Sequence, residues 1–208
     1  RSTYKLLGGS IGFYGSTLNT RQYATKGYLE KLIAQVFTGR ERFEPGNPQE
    51  GYSPSPQERQ SWLQISYMKE AYHTMGPKFT LGWMAEALYS SKNFSENYTA
   101  TMMQAGEFAP TPHSKLMYNE AFRANQYVAA GIKPIYVLND MFQFRTEFYG
   151  FTPIFPIKKN ALNKAYYGKA FSRFEYMGEV SVICQLPFGA ISAYVNHYSS
   201  PRREWNVG

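Results

Sequence analysis

Aromatic residues make up 17% of this 208-residue chain and charged residues only 18%, which excludes an intrinsically disordered protein and fits a single domain. One cysteine excludes an internal disulfide framework, and no apolar run reaches the roughly 18 residues of a transmembrane helix. The formal net charge is +7 without any Lys- or Arg-rich run, so we expect anionic lipid head groups rather than nucleic acid as partners, and no metal or cofactor.

Apolar and polar residues alternate with a period of two along most of the chain, and this pattern predicts β-strands. The alternating runs are about 10 to 14 residues long, whereas globular strands typically have about five or six residues. A tilted strand needs roughly 9 to 11 residues to cross a bilayer. In chain order, nine strands are predicted at residues 3–18, 26–39, 61–73, 78–91, 125–138, 141–152, 173–187, 189–198 and 203–208.

The two faces of these strands differ in polarity. One face is apolar from end to end, and the other carries mixed and charged side chains, as in a membrane barrel with lipid outside and a polar lumen inside. The residues predicted to face lipid are Phe79, Leu81, Trp83, Phe142, Phe144, Phe148, Val180 and Val182. The residues predicted to face the lumen are Glu86, Arg145, Glu147, Glu175 and Glu179. The sequence therefore predicts an all-β fold, an antiparallel transmembrane β-barrel.

The connections between the predicted strands alternate in length. Short turns are interspersed with three long stretches at residues 40–60, 92–124 and 153–172. Barrels of the bacterial outer membrane have short turns on the periplasmic side and long loops outside. The sorting of the connections supports the membrane prediction.

A serine-hydrolase motif, G-x-S-x-G, occurs at residues 8–12 and would make Ser10 a nucleophile. That motif requires a strand, a sharp turn and then a helix. Here the alternation continues past the motif, and the only aspartate, Asp140, lies in a predicted turn. We therefore predict a glycine-rich strand, and keep a hydrolase using Ser10 as an alternative.

The remaining reactive side chains form no recognisable motif. The sequence places His73 in a turn, His113 in a long loop and His197 at the end of a strand, so it predicts no metal site. Cys184 alternates with Val182, which predicts a small apolar residue on the lipid side.

Long strings of the sequence carry a family likeness. They are STLNTRQYATKGY, FAPTPHSKLMYNEAFRANQYVAAGIKPIY, FRTEFYGFTPI and the last 46 residues from NKAYYGKAF onward. With them, nearly the whole chain resembles the C-terminal outer-membrane barrel of patatin-like phospholipase family proteins from Bacteroidetes-type bacteria. That barrel belongs to the superfamily of outer-membrane assembly and two-partner-secretion barrels.

The resemblance implies that residues 1–208 are the C-terminal part of a barrel of about 16 strands, with no second domain. A chain that begins at Arg1 and ends within its ninth strand is expected to be a fragment. A patatin hydrolase domain would precede it in the parent protein and be its partner, together with outer-membrane lipids or detergent and a second copy in a homodimer. The patatin catalytic motifs do not occur as a set, so we expect no catalysis in this chain.

The resemblance also implies that the loop at residues 92–124 folds into the lumen and carries an Arg-Gly-aromatic motif. The nearest match is Arg123, followed by alanine instead of glycine, and its implied partner on a later strand is Glu147. An arginine and a carboxylate suit bidentate pairing. The alternative is a hydrated polar interior without a specific contact.

The predicted function is an integral barrel of the bacterial outer membrane that anchors an attached lipid hydrolase, with translocation of that domain as a second role. The alternative is a soluble, lipocalin-like barrel for an apolar ligand. In that barrel, Phe79, Trp83, Phe144 and Val182 would line one cavity.

Overall fold

The computed structural model of the chain describes residues 2–43, 59–200 and 205–208 and is mostly β-structure, which confirms the all-β prediction. The elements in chain order are β1 (Ser2–Ser16), β2 (Gly27–Phe43), β3 (Arg59–Thr74), β4 (Phe79–Ser90), α1 (Tyr98–Gln104), β5 (Gly106–Glu107), β6 (Arg123–Ala124), β7 (Gln126–Val137), β8 (Phe142–Pro153), β9 (Ile157–Lys159), β10 (Ala165–Tyr167), β11 (Glu175–Leu186), β12 (Gly189–Tyr198) and β13 (Trp205–Val207). No helix among them is long and apolar enough to cross a membrane.

Nine of these strands form one antiparallel sheet in the order β1-β2-β3-β4-β7-β8-β11-β12-β13. Each predicted strand corresponds to one strand of this sheet, although residues 203–204 of the last one lie outside the described residues. Within the described chain, β1 pairs only with β2 and β13 only with β12. The described strands therefore form an open sheet, in which the strands adjacent in sequence are also adjacent in space.

The long connections lie at one end of the sheet as the sequence predicted, although the ten-residue connection at residues 17–26 lies at the end of the short turns. The turns at residues 75–78, 138–141 and 187–188 lie at one end of the sheet, and the connections at residues 91–125 and 154–174 lie at the other. The predicted loop at residues 40–60 falls largely outside the described residues.

Alternation along the strands produces an outer and an inner face. On β8, Phe144 and Phe148 are 46% and 52% exposed, whereas Arg145 and Glu147 between them are 1% and 4% exposed. The other residues predicted to face lipid also lie on the outer face, where they are exposed or half-buried: Phe79, Leu81, Trp83, Phe142, Val180 and Val182.

This orientation is the opposite of the one that the lipocalin-like alternative requires. Phe79, Trp83, Phe144 and Val182 lie on the outer face and do not line the cavity on the inner face. The reason is the register, since a side chain two positions along a strand returns to the same face.

Two connections cover the inner face. The inner loop, residues 91–125, buries Phe108 and Phe122 against Tyr149 and Phe151 of β8. Each buried phenylalanine contributes roughly 1.5–3 kcal/mol to the free energy of folding. The inner turn, residues 17–26, comes from the opposite end of the sheet.

The inner turn joins distant strands of the sheet. Its Ala24 packs with Tyr72 of β3 and Ile135 of β7, and its Tyr23 reaches Ser192 of β12. On a flat sheet, β2 and β12 would lie roughly 29 Å apart, because neighbouring strands are about 4.8 Å apart. The sheet thus curls around the inner loop and the inner turn.

Candidate functional site

The first cluster of polar side chains on the inner face consists of residues that all lie on strands. We call it the strand cluster, and its members are Glu70, Tyr72, Lys133, Arg145, Glu147 and Tyr149. Arg145 Nε and Nη2 donate to Glu147 Oε1 at 2.9 and 2.8 Å, and Arg145 Nη1 donates to the Ala24 carbonyl at 2.9 Å. Since a buried charge is costly without a partner, this pairing is what allows Arg145 inside.

The second ion pair of the strand cluster crosses between strands. Lys133 Nζ of β7 lies 2.8 Å from Glu70 Oε1 of β3, and Lys133 is buried. The hydroxyl groups of Tyr72 and Tyr149 donate to Glu70 and Glu147, and Lys133 Nζ lies 5.8 Å from the centroids of both tyrosine rings. The two pairs leave no net charge in the strand cluster.

The predicted contact between Arg123 and Glu147 is not formed. Arg123 Nη2 donates to Glu107 Oε2 at 2.6 Å within the inner loop, and Arg123 Nη1 donates to the Ala105 carbonyl at 3.2 Å. Glu147 instead pairs with Arg145 on its own strand. Arg123 of β6 thus pairs with Glu107 of β5, inside the inner loop. Glu147 pairs with Arg145, which lies nearer to it on the same strand.

A second cluster of polar side chains holds the tip of the inner loop against the sheet. We call it the loop cluster, and its members are Tyr23, His113, Glu179 and Ser192. His113 Nδ1 lies 3.0 Å from Glu179 Oε1, and its Nε2 lies 3.1 Å from Ser192 Oγ and 3.2 Å from Tyr23 Oη. The inner loop therefore folds onto the inner face, as the resemblance implied, but a histidine makes the contact.

The imidazole ring of His113 is held from its flat side as well. It stacks on Tyr194 of β12, with ring centroids 3.4 Å apart and an interplanar angle of 15°. His113 is 8% exposed and Glu179 is 2% exposed. Burial raises the pKa of Tyr23, and its hydroxyl therefore stays a hydrogen-bond donor at physiological pH.

A cavity of about 650 Å³ lies between the inner loop, the inner turn and strands β2, β3, β4, β7 and β8. Tyr23 lines one of its sides, and the ion pairs of the strand cluster line another. The cations Arg21, Lys31 and Lys115 also line it, and Glu86 faces it while accepting a hydrogen bond from the Tyr127 hydroxyl at 2.6 Å. The cavity is thus polar, with cations beyond those of the strand cluster.

Ser10 does not form a nucleophile elbow. It lies within the unbroken strand β1, opposite Gln35 of β2, and it is exposed. No helix follows the motif, because β1 continues to Ser16. The context that the hydrolase motif requires is therefore missing.

The other predicted candidates lie apart from one another. His73 accepts a hydrogen bond from Trp83 Nε1 at 3.3 Å, and His197 stacks on Tyr176. Cys184 is a half-buried free thiol of β11, and Glu175 accepts a hydrogen bond from Arg173 at 2.7 Å. Among the described residues, no group of three His, Cys, Asp or Glu side chains is placed to hold a metal ion.

One loop lysine has an altered pKa. Lys92, which follows β4, places its amine 4.8 Å from the Trp62 ring and 5.8 Å from the Tyr4 ring. Burial lowers the pKa of Lys92 to about 8, and the carboxylate of Glu41 opposes that shift. Lys92 therefore carries its full charge only below this pH.

Comparison with known protein families, with curated proteins and with solved structures finds no match for this chain.

Proposed function

We propose that this chain is part of an integral β-barrel of the bacterial outer membrane that anchors an attached patatin-like lipid hydrolase domain. The observation that carries the proposal is the sorting of side chains on the sheet. Apolar side chains, many of them aromatic, are exposed on the outer face, while ion pairs are buried on the inner face. A monomeric soluble protein rarely exposes so large a contiguous apolar surface.

Lipid gives that outer face a partner. Transferring apolar surface out of water contributes roughly 25 cal/mol for each Å². Side chains such as Phe144, Phe148 and Val182, each about half exposed, would each contribute on the order of 1 kcal/mol. Summed over nine strands, this is sufficient to hold a protein in a membrane without a lipid anchor.

Among the described residues, β1 and β13 are the edge strands of the sheet, and this supports the larger barrel. In hydrocarbon, each unpaired backbone group of β1 or β13 would cost several kcal/mol, so a sheet in lipid must be closed. The proposal therefore includes further strands, as in the barrel of about 16 strands that the resemblance implies. A second copy of the chain is the other source of pairing strands.

The covered inner face favours an anchor over a pore. The inner loop and the inner turn fill space that a passenger would need, and the loop is held by hydrophobic packing of Phe108 and Phe122. Translocation of the attached domain, the second role, would require the loop to leave the inner face.

Membrane extraction tests the anchor. The chain, expressed with its native upstream region in a Gram-negative host, should stay in the outer-membrane fraction through high salt and alkaline carbonate and dissolve only in detergent. Release by carbonate alone would contradict the proposal. Esterase turnover lost in Ser10→Ala would instead support the hydrolase alternative.

A further inference from the structure

The loop cluster contains a directed chain of hydrogen bonds. The carboxylate of Glu179 can only accept, so His113 carries its proton on Nδ1 and donates at 3.0 Å. In the neutral imidazole, Nε2 is then an acceptor, and it faces Ser192 Oγ at 3.1 Å. Tyr23 donates to the same Ser192 oxygen at 3.1 Å. The Tyr23 hydroxyl also lies 3.2 Å from Nε2, so Ser192 and Tyr23 are the two hydroxyl groups that face this nitrogen.

This order of groups is the arrangement of an activated serine. A serine nucleophile needs a base within about 2.6–3.2 Å, and the base needs a third group that fixes its tautomer and orientation. Both distances in the loop cluster fall in that range. Glu179 is buried and receives a second, longer hydrogen bond of 3.5 Å from Asn196, while Tyr194 fixes the plane of the imidazole.

We propose that Ser192, His113 and Glu179 form a serine-hydrolase site on the inner face of the sheet, with Ser192 as nucleophile, His113 as general base and Glu179 as the residue that positions His113. This departs from the expectation that no residue of the chain is catalytic. It depends neither on the membrane anchor nor on an attached hydrolase domain.

The reaction is the hydrolysis of a carboxylic ester. Ser192 Oγ bonds to the carbonyl carbon while its proton passes to His113 Nε2. The bond from that carbon to the alcohol oxygen breaks, and the alcohol leaves with the proton from Nε2. Water then gives a proton to Nε2, its oxygen bonds to the acyl carbon, and Ser192 leaves and regains the proton. The Tyr23 hydroxyl, next to Ser192 Oγ, is the donor for the developing oxyanion.

The neighbouring cavity indicates the class of ester. Tyr23, whose hydroxyl contacts Ser192 Oγ, lines this cavity of about 650 Å³, a volume that is enough for a small ester. Lys133 and Arg145 of the lining are neutralised by glutamates, and Glu107 of the lining pairs with Arg123. The other charged groups of the lining are the cations Arg21, Lys31 and Lys115 and the single carboxylate of Glu86, so the lining keeps an excess of positive charge. We therefore expect esters that carry an anionic group to bind better than neutral ones.

A fluorophosphonate probe tests the nucleophile directly. When Ser192 Oγ bonds to the phosphorus, fluoride leaves and the proton passes to His113. The full chain in detergent micelles should be labelled, and peptide mass spectrometry should place the adduct on Ser192. Labelling should vanish in Ser192→Ala and slow by at least about 100-fold in His113→Ala. The matched controls Ser10→Ala and His197→Ala should be labelled at the wild-type rate.

The position of the adduct in the wild-type chain decides the case even where a variant fails to fold. An adduct on another residue, an unlabelled wild type, or an unchanged rate in a folded His113→Ala overturns the proposal. For Glu179, the labelling rate should fall at least about 10-fold in Glu179→Gln and recover in part in Glu179→Asp. A purely structural role would change the stability of both variants without this order of rates.

Two model esters test the substrate class. Mono-p-nitrophenyl succinate should have a severalfold lower KM than p-nitrophenyl butyrate, and Lys115→Gln should reduce the difference between the two KM values. Equal KM values for the two esters in the wild type would overturn the preference for anionic esters. The assignment of Ser192 as the nucleophile is tested separately, by the labelling experiment.

Discussion

The strand cluster and the loop cluster both place ionisable groups against the inner face, but they are built differently. In the strand cluster, Arg145 and Glu147 are two residues apart on one strand, so their pairing follows from the local geometry of a β-strand. In the loop cluster, His113 and Glu179 are 66 residues apart, and Tyr23 and Ser192 are 169 apart. The strand cluster is part of the sheet itself, whereas the loop cluster exists only while the inner loop is packed on the sheet.

The largest difference should appear when one partner of the strand cluster is removed. Arg145→Leu leaves Glu147 buried without its cation, which typically costs about 3–5 kcal/mol of unfolding free energy. The double variant Arg145→Leu/Glu147→Leu should recover most of that loss, because it removes both charges. Urea unfolding in micelles measures the loss of unfolding free energy in both variants. A loss well below this range in Arg145→Leu would show that the ion pair is hydrated.

Close packing under the strand cluster gives the next effect. A Cβ at Gly82 would lie 2.7 Å from Cδ1 of the Tyr72 ring, and one at Gly131 would meet the ring of Tyr149. Gly131→Ala should cost about 1–3 kcal/mol in the same unfolding measurement, since the ring of Tyr149 is confined by the packing of the sheet. Gly9→Ala, with open space around it, is the control and should cost less than about 1 kcal/mol.

Removing the histidine of the loop cluster should act on the loop more than on the sheet. His113→Leu removes the shorter of the two hydrogen bonds to the buried carboxylate of Glu179, which costs about 1–3 kcal/mol. We expect proteolysis within residues 109–118 to accelerate while the far-UV circular dichroism of the sheet stays the same. Loss of the circular dichroism signal of the sheet would contradict this, because it would mean that the sheet itself depends on the loop cluster.

The smallest effect concerns the base of the inner loop and depends on pH. The pKa of Lys92 is about 8 in the folded chain and near 10.4 in an unfolded one, so the unfolded chain binds more protons between these values. Stability should therefore rise with pH from about 8 to 10. Because Lys92 is partly exposed, the gain should be below about 1 kcal/mol.

Lys92→Met is the test of that assignment. The variant has no titrating group at this position, so its unfolding free energy should rise less than that of the wild type between pH 8 and 10. Parallel curves for the two proteins would contradict the assignment.

Much of the fold follows from local pattern, and the site only in part. All nine strands and the outward direction of Phe79, Phe144 and Val182 were predicted from alternation, because a strand has only two faces. The inward positions of Arg145 and Glu147 follow from the same rule, but their pairing was not predicted, because the sequence analysis paired Glu147 with Arg123. The partner chosen for Arg123 was wrong, because the β5–β6 hairpin brings Glu107 closer.

Of the loop cluster, only the inward position of Glu179 had a signal in the sequence. His113 lies in a stretch without periodicity, Ser192 belongs to no motif, and Tyr23 lies in a turn. Contacts between residues so far apart depend on how the sheet curls and on where the loop lands, and neither has a local sequence signature.

The sequence by itself determined the strands, their order along the chain and which side of each strand is apolar, because these depend on neighbours one or two residues away. Only the tertiary structure decided that the inner loop and the inner turn meet over β11 and β12 and bring His113 between Glu179 and Ser192. The physical reason is that a strand has a fixed side-chain period, whereas the path of a 35-residue connection is set by the surface it buries against.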